Sequence, residues 1–282
     1  MKRSICFKKG WTKLTVTELQ QKIDEADMIV VGIGAELRVD KILSYDADEI
    51  KEFYQKIGMK KYEEVLAKAE NSEEFAYLKE LYYSYYIQMN NIPTIYDKVA
   101  KLLENKNYFI ITSNTDDCIY SSQLDHAKIV APCGTRRNLQ CSKGCSKTLY
   151  PSQGLLLAKL QEFEQTGETS KIRCGKCKEE LEFNVRTKET ASRYVEEGYL
   201  TQWGAYTKWL QGTLNKQFLV LELGEGFEQP TLFHWPFERL VYFNQKAQLI
   251  RVHKTLSQVG EEIKERSQPI PMSAIEFLET YC

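Results

Sequence analysis

The sequence predicts an α/β protein built on a doubly wound parallel sheet. Short apolar runs, rich in β-branched residues, fall at about 28–33, 108–112, 128–131, 218–223 and 248–252. Stretches with helical character separate them, which is the pattern of parallel strands joined by helices. Each run stops at glycine or polar residues: Gly32–Glu36, Ser113–Asp117, Cys133 with Gly134, Gly224–Gly226, and His253. In an open parallel sheet the carboxyl ends of the strands share one edge. These segments are therefore expected to converge on one crevice, where such sheets place their ligands. Two cysteine hooks, Cys141-x3-Cys145 and Cys174-x2-Cys177, interrupt the pattern and predict a small zinc-binding module inserted into the larger domain.

A length of 282 residues permits one large domain or one domain with inserts, and 43% hydrophobic residues suffice for a sizeable core. Lys plus Arg number 38 against 39 Asp plus Glu, so neither nucleic acid nor an anionic membrane is an expected partner. No apolar stretch approaches the roughly 18 residues needed to span a bilayer. Met1 to Gly10 lacks the apolar centre of a secretory signal. Under those conditions eight cysteines favour metal ligation or free thiols over disulfides, and a reduced, cytoplasmic protein is expected.

Along the chain, Thr15-Val16-Thr17-Glu18 reads as a capping box opening a helix with Leu19 and Ile23 on one face. Met28 to Val31 is apolar enough for a central parallel strand. The following Gly32-Ile33-Gly34-Ala35-Glu36 is either a tight turn or a backbone that lets a phosphate approach. Residues 46–104 read as helical: Asp46 with Glu49 as a capping box, Gly58 as a stop, and Ser72 as the cap of a helix from Glu73 to about Met89. Phe75, Leu78, Leu81, Tyr82, Tyr85 and Tyr86 form a stripe on that helix, either core or the lining of a groove. Pro93 suits the first turn of another helix ending near Asn105.

After the strand Tyr108–Thr112 the polar tip is expected to lead into a helix, with Asn114 and Asp116 as its N-capping groups or as site residues. The two hooks match a closed tetrahedral site of four thiolates, Cys141, Cys145, Cys174 and Cys177, holding a structural rather than a catalytic zinc. Lysines 143, 147, 171, 176 and 178 would offset the thiolate charge, and a helix is expected from Leu155 to Glu164 between the hooks. Arg193 to Leu210 reads as helical, and the tail holds Gln268-Pro269-Ile270-Pro271 followed by a short helix ending near Thr280.

The segment from Tyr108 to Cys145 carries a resemblance. Thr112-Ser113-Asn114-Thr115-Asp116, then Pro132-Cys133-Gly134, then Leu139-Gln140-Cys141-Ser142 follow the order of a sirtuin, in which a strand ends Thr-Gln-Asn-Ile-Asp before a His-Gly pair and the zinc cysteines. The chain more closely resembles the macrodomain-linked (class M) sirtuins, with Thr-Thr-Asn-Val-Asp, Thr-Gln-Gly and Phe-Gln-Cys-Ser at these places. Leu221 to Gly226 and Trp235-Pro236-Phe237 extend the likeness, which runs from about residue 28 to about residue 253. It departs at the glycine loop, where Glu36 replaces a serine, and at the catalytic-histidine position, which Cys133 occupies.

The resemblance implies a Rossmann-like NAD-binding domain over 1–136 and 191–282, with the helical insert at about 46–104, and a zinc-binding module over 137–190. It implies cofactor contacts at Gly32, Gly34, Ala35, Glu36, Ser113, Asn114, Gly224, Glu225, Gly226 and His253, and catalytic roles for Asn114, Asp116 and Cys133. The implied activity is transfer of ADP-ribose from NAD to a protein acceptor with release of nicotinamide, and not lysine deacetylation. A thiol of ordinary pKa, about 8.5, is a poor substitute for the deacetylase's histidine base. Class M enzymes are associated with lipoyl-carrier proteins, which makes these the implied acceptors. The other reading is a degenerate sirtuin that binds NAD, ADP-ribose or a partner protein without turnover. On the residues themselves, Glu225 is a ribose partner or a solvent-facing acid, and His253 a ribose contact or a structural histidine. Cys133 is a buried spacer or a thiol that traps ADP-ribose.

Overall fold

The computed structural model describes residues 14–38, 71–89, 95–168 and 170–282, together with residues 55 and 67 singly. Its centre is a parallel sheet of order β3-β2-β1-β7-β8-β9. The strands are β1 (Met28–Ile33), β2 (Tyr108–Thr112), β3 (Ile129–Val130), β7 (Phe218–Leu223), β8 (Ala247–Val252) and β9 (Ser267–Ile270). Every residue of β1, β2 and β7 is buried, as a sheet covered on both faces requires. Alternate side chains divide between two layers. Ile29, Val31, Ile110, Leu221 and Ile250 pack with α1 (Val16–Glu25), α3 (Tyr96–Leu102) and α7 (Ala274–Tyr281). Val30, Phe109, Ile111, Val220 and Leu249 pack with α5 (Glu197–Gln211) and α6 (His234–Phe243). The fold is thus the expected doubly wound parallel sheet with flanking helices.

A second, antiparallel sheet of order β5-β4-β6 consists of β4 (Gly134–Cys141), β5 (Tyr150–Pro151) and β6 (Leu181–Val185). Helix α4 (Ser152–Thr166) runs between the cysteine hooks and packs against α2 (Glu73–Met89). Helix α2 begins as read: the Phe75 amide donates to Ser72 Oγ at 3.2 Å. Its stripe is core, with Phe75, Leu78, Leu81 and Tyr86 buried and Tyr82 and Tyr85 packed against them. The Thr15–Glu18 capping box is also present. Asp46, Glu49, Gly58 and Pro93 lie outside the described residues.

Three expectations are corrected. Between Ser113 and β3 the described chain forms two single 3-10 turns, Cys118–Ser121 and His126–Lys128, instead of an α-helix. Asp117 takes a left-handed conformation (φ 67), which bends the chain where a helix would have to start. Helix α5 starts at Glu197 rather than Arg193, because Arg193 is held by Glu182 of β6 at 2.8 and 2.7 Å. The strand expected at 248–252 is not the last: Ser267–Ile270 of the tail form the edge strand β9, where the missing amide of Pro269 is tolerated.

Gly32 lies inside β1, not at its tip. A Cβ there would meet Phe233 Cδ2 at 2.5 Å and Phe237 Cε2 at 2.7 Å. It is the place where α6 settles onto the sheet, against the rings of Phe233 and Phe237.

Candidate functional site

The strand order reverses between β1 and β7, so the tips of these two strands flank the topological switch point where such sheets bind ligands. Gly34 sits on the β1 tip and Glu225 on the β7 tip, and they touch: a Cβ on Gly34 would meet Glu225 Cα at 2.4 Å. Gly34 N–H donates to Leu223 O at 2.9 Å, and Ser113 N–H to Ile33 O at 3.1 Å. The backbone ladder therefore continues past the strand ends and locks the three tips of β2, β1 and β7 together.

Asn114 is buried at this junction. Its Nδ2 donates to Gly34 O at 3.0 Å and to Tyr96 Oη at 3.3 Å, and its amide donates to Thr112 Oγ1 at 3.0 Å. Tyr96, itself buried, donates its hydroxyl proton to Leu37 O at 2.7 Å. Asn114 is thus a bridge between tips and not a helix cap. With both Nδ2 hydrogens engaged, its Oδ1 is left as the uncommitted acceptor among the described residues. Asp116 Oδ1 accepts from the Cys118 amide at 3.1 Å, capping the 3-10 turn.

Ala35 opens a 3-10 turn, Ala35–Leu37, that points Glu36 away from the tips and toward the tail. Glu36 Oε1 accepts from Lys254 N at 3.1 Å and Oε2 from Ala274 N at 2.8 Å. The carboxylate thus sits at the N-terminus of α7, where the helix dipole favours negative charge. His253 lies beside it, Nε2 3.7 Å from Glu36 Oε1, while its Nδ1 accepts from the Thr255 and Leu256 amides at 3.1 and 2.9 Å. Two accepted bonds at Nδ1 place the ring proton on Nε2. Gly226 borders the same nitrogen, 3.8 Å from where its Cβ would be, and Gly224 packs against Glu36.

Glu225 is not solvent-facing; it is 2% exposed. Its Oε2 accepts from Ser113 Oγ at 3.0 Å and its Oε1 from Gln229 N at 3.4 Å. Burial pushes its carboxyl up to about 7, against the lowering effect of the Ser113 bond. Cys133 is buried too, and burial pushes its thiol up to about 11, partly offset by the charge of Arg186. At neutral pH Cys133 is an uncharged thiol, which suits a spacer better than a nucleophile.

Asp117 is buried with neither carboxylate oxygen in a hydrogen bond. Burial drives its pKa to about 8, with the charges of Arg137 and Arg136 and the nearby Arg136 amide opposing the shift and Asp116 adding to it. The folded carboxyl holds its proton more tightly than the unfolded one, so its contribution is favourable at low pH and is lost as pH rises through about 8. Asp117→Asn should therefore stabilise the protein at pH 9 by several kcal/mol and do little at pH 4. Thermal melts at the two pH values measure this; equal shifts at both would show that the charge is not the cause.

The four cysteines come together as the spacing predicts: their sulfurs all lie within 4.8 Å of one another. Cys141 Sγ is 3.4 Å from Cys177 Sγ and Cys145 Sγ 3.6 Å from Cys174 Sγ, close to the roughly 3.8 Å edge of a tetrahedron with 2.3 Å zinc–sulfur bonds. The donor set fits a closed tetrahedral metal site. Most of the nearby lysines serve other partners: Lys143 pairs with Glu179 at 2.5 Å, Lys147 with Glu197 at 2.8 Å and Lys171 with Glu73 at 3.4 Å. Lys176 and Lys178 donate to the backbone at Cys145 and Gly175, within the hooks.

Sequence reasoning missed Tyr96 and a buried ionic group on the far face of the sheet. Glu222 and Arg251 pair across β7 and β8 and are both fully buried. Arg251 Nε lies 3.0 Å from Glu222 Oε1, His234 Nδ1 2.8 Å from the same oxygen, and Arg251 Nη1 2.7 Å from Glu238. The signal was present: a lone acid and a lone base, each in the middle of an apolar strand.

No family model matches the sequence. Over 258 residues the chain is 26% identical to a protein ADP-ribosyltransferase of Staphylococcus aureus (strain Mu50), covering 88% of this chain and 81% of that protein. The chain is similar, over most of its length, to a protein ADP-ribosyltransferase. Over 174 residues it is 28% identical to a probable bifunctional ADP-ribose hydrolase/ADP-ribosyltransferase of Fusarium oxysporum f. sp. cubense, covering 58% of this chain but 28% of that longer protein. Among solved structures, a Sir2 variant with a deacetylated p53 peptide and 3′-O-acetyl-ADP-ribose superposes with a TM-score of 0.49 at 14% identity, covering 95% of this chain and 97% of that one. No described helix is long and apolar enough to cross a membrane.

Proposed function

We propose that this protein is a sirtuin-like protein ADP-ribosyltransferase of the class M kind, which uses NAD, releases nicotinamide and leaves ADP-ribose on a protein acceptor. The observation that carries the reading is Asn114, fixed at the switch point with its Nδ2 tied to Gly34 and Tyr96. The names of both curated relatives support it. Cleavage of the nicotinamide–ribose bond builds positive charge on the ribose, and a preorganised amide oxygen stabilises such charge. Ser113, Asn114, Glu225, Gly226 and His253 would hold the cofactor, and Cys141, Cys145, Cys174 and Cys177 a structural zinc. A lipoyl-carrier protein is the proposed acceptor class. Gly34 admits Glu225 and Glu36 binds backbone amides of the tail, and with Gly32, Ala35 and Gly224 they complete the proposed cofactor contacts.

Incubation with NAD labelled in the ADP-ribose moiety and candidate acceptors tests the reading. Label on an acceptor with an equal amount of free nicotinamide, and no deacetylation of an acetyl-lysine peptide, is expected. Robust deacetylation would overturn it. Binding of ADP-ribose without any consumption of NAD would instead favour a degenerate sirtuin that binds without turnover.

A further inference from the structure

Transfer to an acceptor group X–H leaves a proton to be placed, and the residue at the expected histidine position, Cys133, is an uncharged thiol raised to about 11. A different pair at the crevice has the required arrangement. Ser113 is half-buried on the β2 tip, directly before Asn114, and its hydroxyl points inward to Glu225 Oε2 at 3.0 Å. Glu225 is buried behind it, on the β7 tip. Its other oxygen is held by the Gln229 amide, so the carboxylate cannot swing away without losing a second bond. The contact between Gly34 and Glu225 leaves no room for a side chain between the tips, which keeps the serine and the carboxylate in register.

We propose that Ser113 and Glu225 form a two-residue proton relay for the transfer reaction. This rests on the transferase reading above. As the bond from ribose C1′ to nicotinamide breaks, nicotinamide leaves with the bonding electron pair and the acceptor's lone pair forms the new bond to C1′. The acceptor proton passes to Ser113 Oγ while the serine's own proton passes to Glu225 Oε2, and Glu225 later returns it to water. No oxidant or further reactant is needed. A carboxyl whose pKa is about 7 is matched to accepting a proton near neutral pH. The charged and titratable groups around Glu225 are Glu222 of β7, Glu228 of the following loop and Cys133 at the start of β4; Glu36 and His253 flank its two neighbouring glycines. Burial, and after it the charges of Glu222 and Glu228, resist ionisation of Glu225, so the relay should work only above its raised pKa.

The test measures nicotinamide release by the full chain from about pH 5.5 to 9, for wild type, Glu225→Gln, Ser113→Ala and Ser113→Thr, with melting curves for each. Wild-type kcat should rise with pH through an inflection near 7. Glu225→Gln should lower kcat by about 10²-fold or more and erase the inflection, beyond any rise in the KM for NAD from its lost cofactor contact. Ser113→Ala should lower kcat similarly, and Ser113→Thr, which keeps the hydroxyl, should restore most of it. Should Glu225→Gln not fold, the Ser113 pair decides alone. A persisting inflection in Glu225→Gln, full activity in Ser113→Ala, or a raised KM with unchanged kcat would overturn the relay, the last by showing a cofactor contact with no part in proton transfer. No nicotinamide release from wild type at any pH would overturn the transferase reading and the relay with it.

Discussion

Exchanging Cys174 for serine should remove one zinc per chain and unfold the small sheet around the hooks. Elemental analysis of protein purified without chelator should find one zinc per wild-type chain and none in the variant. The expected loss is large because the hooks join the two ends of a small antiparallel sheet. Strand β5 is two residues long, and β4 and β6 change register between Thr135 and Leu139. The two hooks are cross-braced through the cysteines, with Cys141 beside Cys177 and Cys145 beside Cys174. A structural zinc contributes apparent binding energies of about 10–16 kcal/mol to small modules, and much of that is folding energy. Tyr150 Oη, 3.6 Å from Cys174 Sγ, would lose its sulfur partner as well. The melting temperature should fall markedly, while exchange of Cys6, outside both hooks, should not alter zinc content. Wild-type protein free of zinc would refute the assignment.

Asn114→Ala should abolish nicotinamide release. Loss of one preorganised polar partner from a developing charge costs about 2.7–4 kcal/mol, or roughly 10²–10³ in kcat. The substitution also takes the Asn114 donor away from the buried Gly34 O and from Tyr96 Oη, which keeps its bond to Leu37 O. That should lower stability by about 1–3 kcal/mol. The two losses separate experimentally, because a folded variant at low temperature still lacks the amide. Tyr96→Phe removes the hydroxyl but keeps Asn114, so it should reproduce part of the stability loss and little of the catalytic one. Full nicotinamide release by Asn114→Ala would exclude Asn114 from the chemistry.

The sheet was legible because buried parallel strands are continuous apolar runs; β1, β2 and β7 begin and end within a residue of where composition places them. The cysteine hooks were legible because ligand spacing is a local property. What escaped depends on groups distant in sequence. Nothing around Glu36 announces that its carboxylate meets amides of Lys254 and Ala274. Nothing around Glu225 announces that Ser113 and Gly34 close over it. Strand β9 escaped because proline disguises an edge strand as a loop. The missing helix after Ser113 escaped because nothing in the sequence marks Asp117 as a left-handed position.

The Glu36 clasp also bears on how the molecule comes into being. The acid belongs to the first turn of the sheet, and the amides that receive it stand 218 and 238 residues later. Tyr281 closes a similar span by donating its hydroxyl to Leu14 O at 2.8 Å. Ribosomes deliver chains from the N-terminus at about 5–20 residues per second. The glycine turn therefore leaves the ribosome well before the groups that hold it, and the crevice is among the last parts of the fold that a nascent chain can complete.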